Sequence, residues 1–191
     1  MEFNLTLIEK KLLIETARET IMAKLAGRKP VYKPHSETLE KKLGAFVTIH
    51  KKGELRGCIG HLVGIRPLYV TIREMALASA FDDPRFPPLE KKELSEIDIE
   101  ISVLSPMTKI RSIEEIQTGL HGIYIRKDLR SGTLLPQVAA EQGWDREEFI
   151  GYACIKAGLD RNSWKDDATE IFTYTAIVFG EKDAILEKEK V

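Results

Sequence analysis

The chain has 191 residues, 43% hydrophobic and 31% charged, enough to bury a substantial core as one domain or as two small lobes. Lys plus Arg (29) nearly equals Asp plus Glu (30), so the whole molecule offers no field for a polyanion. Two cysteines, no secretory h-region and no apolar run of about 18 residues point to a reducing cytoplasm without membrane insertion. Two Asn and three Gln beside abundant Glu and Lys point to a heat-adapted source.

Thr6-Leu7-Ile8-Glu9 has the form of a capping box, and Leu13, Ala17, Ile21 and Leu25 recur at fours before Gly27 and Pro30. A long amphipathic helix therefore opens the chain. Val31 to Lys42 reads as polar, proline-bearing connection, with His35 and Ser36 as solvated loop. Gly44 to His50 alternates as a strand, Lys51-Lys52-Gly53 fits a three-residue turn, and Glu54 to Ile59 returns antiparallel. This register pairs His50 with Glu54, Thr48 with Arg56 and Phe46 with Cys58. It gathers Ala45, Val47, Ile49, Leu55 and Ile59 on an apolar face, and sets Cys58 with Thr48, His50, Glu54 and Arg56 on the polar one.

Cys58 stands between Gly57 and Gly60, residues that let the backbone turn sharply or let a ligand or second chain approach the sulfur. The Arg56 guanidinium two residues away on the same side favours a thiolate nucleophile; the competing reading is a small buried apolar residue. In the expected register His50 lies four strand residues, about 13 Å, along the ladder from Cys58, too far to be its base. His61 makes a Cys-x-x-His spacing with Cys58, but nothing else in the sequence completes a metal site, and no cofactor signature stands out.

Pro67 to Ala80 carries Leu68, Ile72, Met75, Ala76, Leu77 and Ala80 at helical spacing. The loop Phe81 to Leu89 that follows is stiffened by three prolines. It either holds Asp83 and Arg85 toward a cleft or closes a turn with an ion pair. Ile97, Ile99, Ile101 and Val103 alternate with polar residues as a half-buried strand. His121 sits at the mouth of a strand over Gly122 to Lys127, and Glu170 to Phe179 reads as one final strand. Between them, Pro136 opens a helix over Gln137 to Gln142 that ends at Gly143. Asp145 caps Arg146 to Ala157, which stops at Gly158 and holds Cys154 as core filler. The fold class is α+β, a largely antiparallel sheet flanked by helices, with no linker separating independent domains.

Leu55-Arg56-Gly57-Cys58-Ile59-Gly60, Asp83-Pro84-Arg85-Phe86 with Pro88, Val103-Leu104-Ser105-Pro106, His121-Gly122-Ile123, Leu135-Pro136-Gln137-Val138 and Lys156-Ala157-Gly158-Leu159 closely resemble, in this order, the AMMECR domain family. The likeness runs over about residues 8–180, leaving 1–7 and 181–191 as terminal extensions. It implies two unequal, interdependent lobes around a largely antiparallel sheet, with a cleft near the Cys58 segment. It also implies association with a Memo-type protein and a radical S-adenosylmethionine enzyme, but no reaction. His35, His50 and His61 lie outside the family's motifs; Arg56, Cys58, Asp83, Arg85, His121 and Gln137 lie within them.

Two main readings follow. In the first, the protein is an enzyme or enzyme subunit using Cys58 on a small electrophilic or anionic substrate. Arg56 and Arg85 would hold anionic groups, His121 or Asp83 would move a proton, Gln137 would offer its amide, and Gly57 and Gly60 would admit the substrate. In the second, the Cys58 segment and the Pro84 to Pro88 loop form a docking surface for a Memo-type or other protein. The basic groups Lys51, Lys52, Arg56 and Arg126, Lys127, Arg130 would supply any nucleic-acid contact, but solvated charge is the preferred reading of both.

Overall fold

The computed structural model describes residues 4–33 and 36–182; His35 falls outside the described residues. They form two compact units, one running to Leu104 and resuming at Ile177, the other spanning Ser105–Ala176.

The first unit opens with α1 (Leu7–Leu25), started by the expected capping box: Thr6 accepts from the Glu9 amide while Glu9 accepts from the Thr6 amide. Strands β1 (Ala45–Lys51) and β2 (Glu54–His61), helix α2 (Leu68–Leu77) and strand β3 (Ile97–Leu104) follow, and β8 (Ala176–Gly180) closes a sheet of order β2-β1-β3-β8. Ala45, Val47 and Ile49 of β1 and Ile97, Ile99, Ile101 and Val103 of β3 alternate onto one buried face. Leu13, Ala17 and Ile21 of α1 and Leu68, Ile72 and Ala76 of α2 share that core. Glu181 binds Arg18 of α1 and accepts from the Ile99 amide, fastening the end of β8 to β3. Among the described residues no helix is long and apolar enough to cross a membrane.

The second unit holds the sheet β4-β7-β5-β6, from β4 (Thr108–Lys109), β5 (Gly122–Lys127), β6 (Arg130–Leu134) and β7 (Glu170–Tyr174). Helices α3 (Pro136–Gln142) and α4 (Arg146–Lys156) start and stop as their caps dictate. Pro136 stands at the first turn, Asp145 accepts from the Glu148 amide, and Gly143 and Gly158 take φ values of 66° and 73°. Cys154 is fully buried beside Phe149, Ile150 and Ala153 in this core.

Three expectations are corrected. The hairpin turn has two residues, Lys52 (φ 54°) and Gly53 (φ 89°), so Lys51 faces Glu54 and His50 faces Leu55. A bulge then skips Arg56, putting Gly57 opposite Ile49 and Cys58 opposite Thr48 instead of Phe46. Leu55 leaves the apolar face and is exposed, while Ile59 keeps its place against the core. The run from Glu170 to Phe179 is two strands, broken at Thr175, that belong to different sheets. The helix begun at Leu68 gives way after Leu77 to a π-helical turn, Ala78–Asp82, and β6 went unforeseen because its Asp128-Leu129 turn carries no glycine.

Candidate functional site

Cys58 lies on the edge strand of the first sheet, opposite Thr48. Its own amide and carbonyl point outward from the edge, which makes Cys58 and Thr48 a non-hydrogen-bonded pair with closely spaced side chains. The Thr48 hydroxyl accordingly donates to Cys58 Sγ at 3.3 Å. The thiol is half-buried, on the sheet face opposite the helices.

The outward backbone groups of Cys58 meet side chains in place of a neighbouring strand. Its amide donates to Asp83 Oδ2 at 2.9 Å, and its carbonyl accepts from Arg85 Nη2 at 3.1 Å. Arg85 in turn grips Asp83 through Nε (3.0 Å) and Nη2 (2.7 Å), and the Arg85 amide donates to Oδ1 at 3.1 Å. The Asp83 side chain is 2% exposed, whereas Arg85 is 53% exposed. Arg85's bonds, with the Cys58 and Arg85 amides, hold the Asp83 carboxyl far below the usual carboxylate range although burial pushes the other way. Ionised and saturated with donors, Asp83 orders backbone; it is not a proton carrier at neutral pH.

One residue along, the Ser79 hydroxyl accepts from the Ile59 amide (2.9 Å) and donates to the Val47 carbonyl (2.7 Å), bridging β1 and β2. The π-helical turn makes this possible by pressing against Gly57, where a Cβ would come within 2.1 Å of the Ser79 carbonyl oxygen. At Gly60 a Cβ would meet the Phe46 ring at 2.3 Å. Both glycines thus admit the chain's own atoms, and the room they leave is filled without a ligand.

Arg56, the bulge residue, turns to Glu93 instead of flanking the sulfur as expected: it makes a two-pronged bond, Nε to Oε1 at 3.1 Å and Nη2 to Oε2 at 3.0 Å, with its side chain 11% exposed. Glu93 also accepts from Lys51 Nζ and from the Glu90 amide. Its pKa is lowered to about 2, chiefly by the Arg56 bond and against the effect of burial. The first basic cluster is therefore neutralised, since Lys52 is paired with Glu96 as well. In the second, Arg126 binds Glu170, Lys127 binds Asp166 and Arg130 caps the Gly158 carbonyl.

The corrected register also moves His50. It stands two residues from Thr48, about 7 Å along the ladder from Cys58 rather than 13 Å. On that face His50 pairs with Asp98 across to β3, and Thr48 with Glu100. His50, Asp98 and Glu100 border one surface groove. Among the described residues no three His, Cys, Asp or Glu side chains converge as a metal site.

The structure thus gathers Cys58, Arg56, Asp83, Arg85, Gly57 and Gly60 in the first unit. His121 and Gln137 belong to the second. There the His121 amide donates to the Gln117 carbonyl at 2.9 Å and His121 Nδ1 accepts from the Gln117 amide at 3.2 Å, closing a turn before β5; Gln137 follows Pro136 in the first turn of α3. Sequence reasoning missed Ser79 and Glu93, and set Thr48 on the Cys58 face but opposite Arg56. Only Glu93 had a local signal, the Glu90-x-x-Glu93 spacing of a capping box.

Comparison with known proteins agrees with this architecture. The AMMECR1 family matches residues 14–179. Protein MK0488 of Methanopyrus kandleri is 44% identical over 94% of this chain and 91% of its own length. Protein NEQ441 of Nanoarchaeum equitans is 41% identical over 88% of this chain and 98% of its own. The crystal structure of the uncharacterized protein PH0010 from Pyrococcus horikoshii, 37% identical, superposes with a TM-score of 0.84 and covers 94% of either chain. With the family matched over both units, and the same fold in a relative, the chain belongs to the AMMECR1 family.

Proposed function

We propose that this protein acts through the Cys58 thiol, as an enzyme or enzyme subunit for a small electrophile that carries an anionic group. The observation that carries this reading is the fixing of Cys58 from both sides of its backbone by the Asp83 and Arg85 pair, while its sulfur stays half-buried under a hydroxyl donor. A reactive side chain held in one geometry by its supporting shell is what a site requires and what packing alone does not. Arg85 spends Nε and Nη2 on Asp83 and Cys58, and its exposed guanidinium keeps Nη1 for a carboxylate or phosphate on the substrate. His50, on the same face, is the imidazole closest along the ladder to take up the thiol proton.

Alkylation of the folded protein with iodoacetamide and with iodoacetate, read by mass spectrometry at each cysteine, tests this. Cys58 is expected to react at least roughly tenfold faster than Cys154, whose thiol burial pushes up in pKa. The iodoacetate-to-iodoacetamide rate ratio is expected to fall several-fold in Arg85→Gln. Equal labelling of both cysteines, or an unchanged ratio, defeats the reading.

A second reading has its own observation. Pro84, Arg85, Pro87 and Pro88 are exposed around Phe86, whose ring lies 5.5 Å from the Arg85 guanidinium and 6.0 Å from that of Arg56. This rigid, mixed surface suits a protein partner such as a Memo-type or radical S-adenosylmethionine protein. Binding of either purified partner to the wild type that survives both Cys58→Ser and Arg85→Ala would remove this surface from consideration.

A further inference from the structure

The arginines of the first unit follow one rule with one exception. Arg18, Arg28, Arg56, Arg66 and Arg85 each bind a carboxylate, of Glu181, Glu19, Glu93, Glu74 and Asp83 respectively. Among the described residues Arg73 of α2 pairs with none. Instead its guanidinium carbon lies 3.5 Å from the centroid of the Tyr32 ring and 4.7 Å from that of Tyr69, one helical turn earlier. Among the described residues its Nε is also the buried side-chain nitrogen or oxygen left without a hydrogen-bond partner.

The clasp is fixed before any ligand arrives. Thr20 Oγ1 donates its one proton to the Thr16 carbonyl at 2.7 Å, so the Tyr32 hydroxyl, 3.1 Å away, is the donor to Thr20. This bond anchors the Tyr32 ring to α1 while Tyr69 is carried on α2 with Arg73. Nearby charges cancel in pairs: Glu74 is held by Arg66, Glu19 by Arg28 and Glu15 by Lys33. These pairs leave Arg73 without a carboxylate partner among the described residues.

Stacking occupies the flat faces of a guanidinium and leaves its in-plane N–H groups aimed outward, the arrangement that receives two oxygens of one anion. With Nε sealed, the outer Nη groups of this half-buried residue are the approach. We infer that Arg73, clasped by Tyr32 and Tyr69, is the binding point for a small oxyanion, a carboxylate or phosphate group. This site stands apart from the Cys58 reading and depends on none of its residues.

The test is a titration of the full chain with sodium phosphate and, separately, sodium acetate at fixed ionic strength against chloride, following the Arg73 Nε–H resonance by NMR. A saturable shift with either anion, and not with chloride, supports the site and identifies which group it takes. Arg73→Lys keeps the charge but loses the planar fork, so its affinity, followed on backbone amides of α2, is expected to fall roughly tenfold. In Arg73→Gln saturation should vanish. Shifts that never saturate in the wild type, or that saturate equally in a folded Arg73→Gln, overturn the proposal. Should Arg73→Gln fail to fold, the wild-type titration and Arg73→Lys decide it.

Discussion

One edge of each sheet, β2 in the first unit and β6 in the second, is closed by its own neighbours, and the chemistry of the two closures differs. Both use a glycine to bring another backbone close: Gly57 against the Ser79 carbonyl, and Gly132 against the Ala157 amide at the end of α4. Around Gly57 the groups that complete the edge are charged or hydroxylic, namely Asp83, Arg85 and Ser79. Along β6 the strand carbonyls are met by neutral hydroxyls, and the charged Arg130 reaches only the Gly158 carbonyl. Thr133 Oγ1 donates to the Ile123 carbonyl, and the Tyr174 hydroxyl lies 2.7 Å from Thr133 Oγ1 and donates to the Leu134 carbonyl. Ionic groups satisfy an edge strand without placing another strand there, which leaves Cys58 anchored yet reachable; the neutral edge is simply packed. The two cysteines follow suit, Cys58 half-buried among polar groups and Cys154 sealed in hydrocarbon.

The largest effect expected from breaking this comparison is Gly57→Ala. The new methyl would sit 2.1 Å from a carbonyl oxygen that cannot retreat, because the same residue's hydroxyl ties β1 to β2. A loss of about 3 kcal/mol in urea unfolding is expected. Gly132→Ala meets its nearest atom, the Ala157 nitrogen, at 2.6 Å, a smaller overlap, and should lose about half as much. Equal losses would mean that the two edges are built alike.

Next is Asp83→Asn, which keeps the shape and removes the charge. About 2 kcal/mol should be lost at pH 7, since the Cys58 and Arg85 amides and the guanidinium all lose a carboxylate acceptor. The sign with pH is fixed by the direction of the shift. The folded-state pKa of Asp83 lies below the unfolded one, so the stabilisation is complete above about pH 4 and is lost as pH falls further. Wild type and variant should therefore converge in stability on acidification below about pH 4. Glu93, lowered to about 2, adds acid sensitivity of the same sign between about pH 4.5 and that value. A gap that stays constant down to pH 2.5 would show that Asp83 contributes by shape alone.

How far the sequence foretold this depends on the range of the interaction. Caps, helix ends and the alternation of β3 were legible because their signals lie within a few residues: Thr6 with Glu9, Asp145 with Glu148, Gly143 after α3. The hairpin register was not, because Arg56 bulges out to reach Glu93, 37 residues away, and the pattern of β2 alone does not reveal a skipped residue. The break at Thr175 was hidden for a similar reason. A run of β-branched and aromatic residues suits either sheet, and only its partners divide it. At the site, the residue types were legible and their roles were not. Asp83 and Arg85 were visible as a pair, but their grip on the Cys58 backbone spans 25 and 27 residues, and Ser79 looked like an ordinary helix residue until the π-helical turn redirected it.

The smallest expected effect, Ser79→Ala, sharpens the comparison most. It removes no charge and creates no clash, yet it deprives the Ile59 amide of its acceptor and the Val47 carbonyl of a donor. A loss of about 1 kcal/mol is expected, the size of a neutral hydrogen bond, and Thr133→Val on the other sheet should match it. The two variants should differ in where the loss appears. In Ser79→Ala the Ile59 amide should exchange at least roughly tenfold faster with solvent, because the hydroxyl that covers it holds the strands apart. In Thr133→Val the amide exchange of β5 should stay as it was, since the lost bond was an extra acceptor contact at a carbonyl and no amide gave up its partner. If Ile59 exchange in Ser79→Ala is unchanged, the two strands have closed directly onto each other, and the polar seam beside Cys58 is dispensable to the fold.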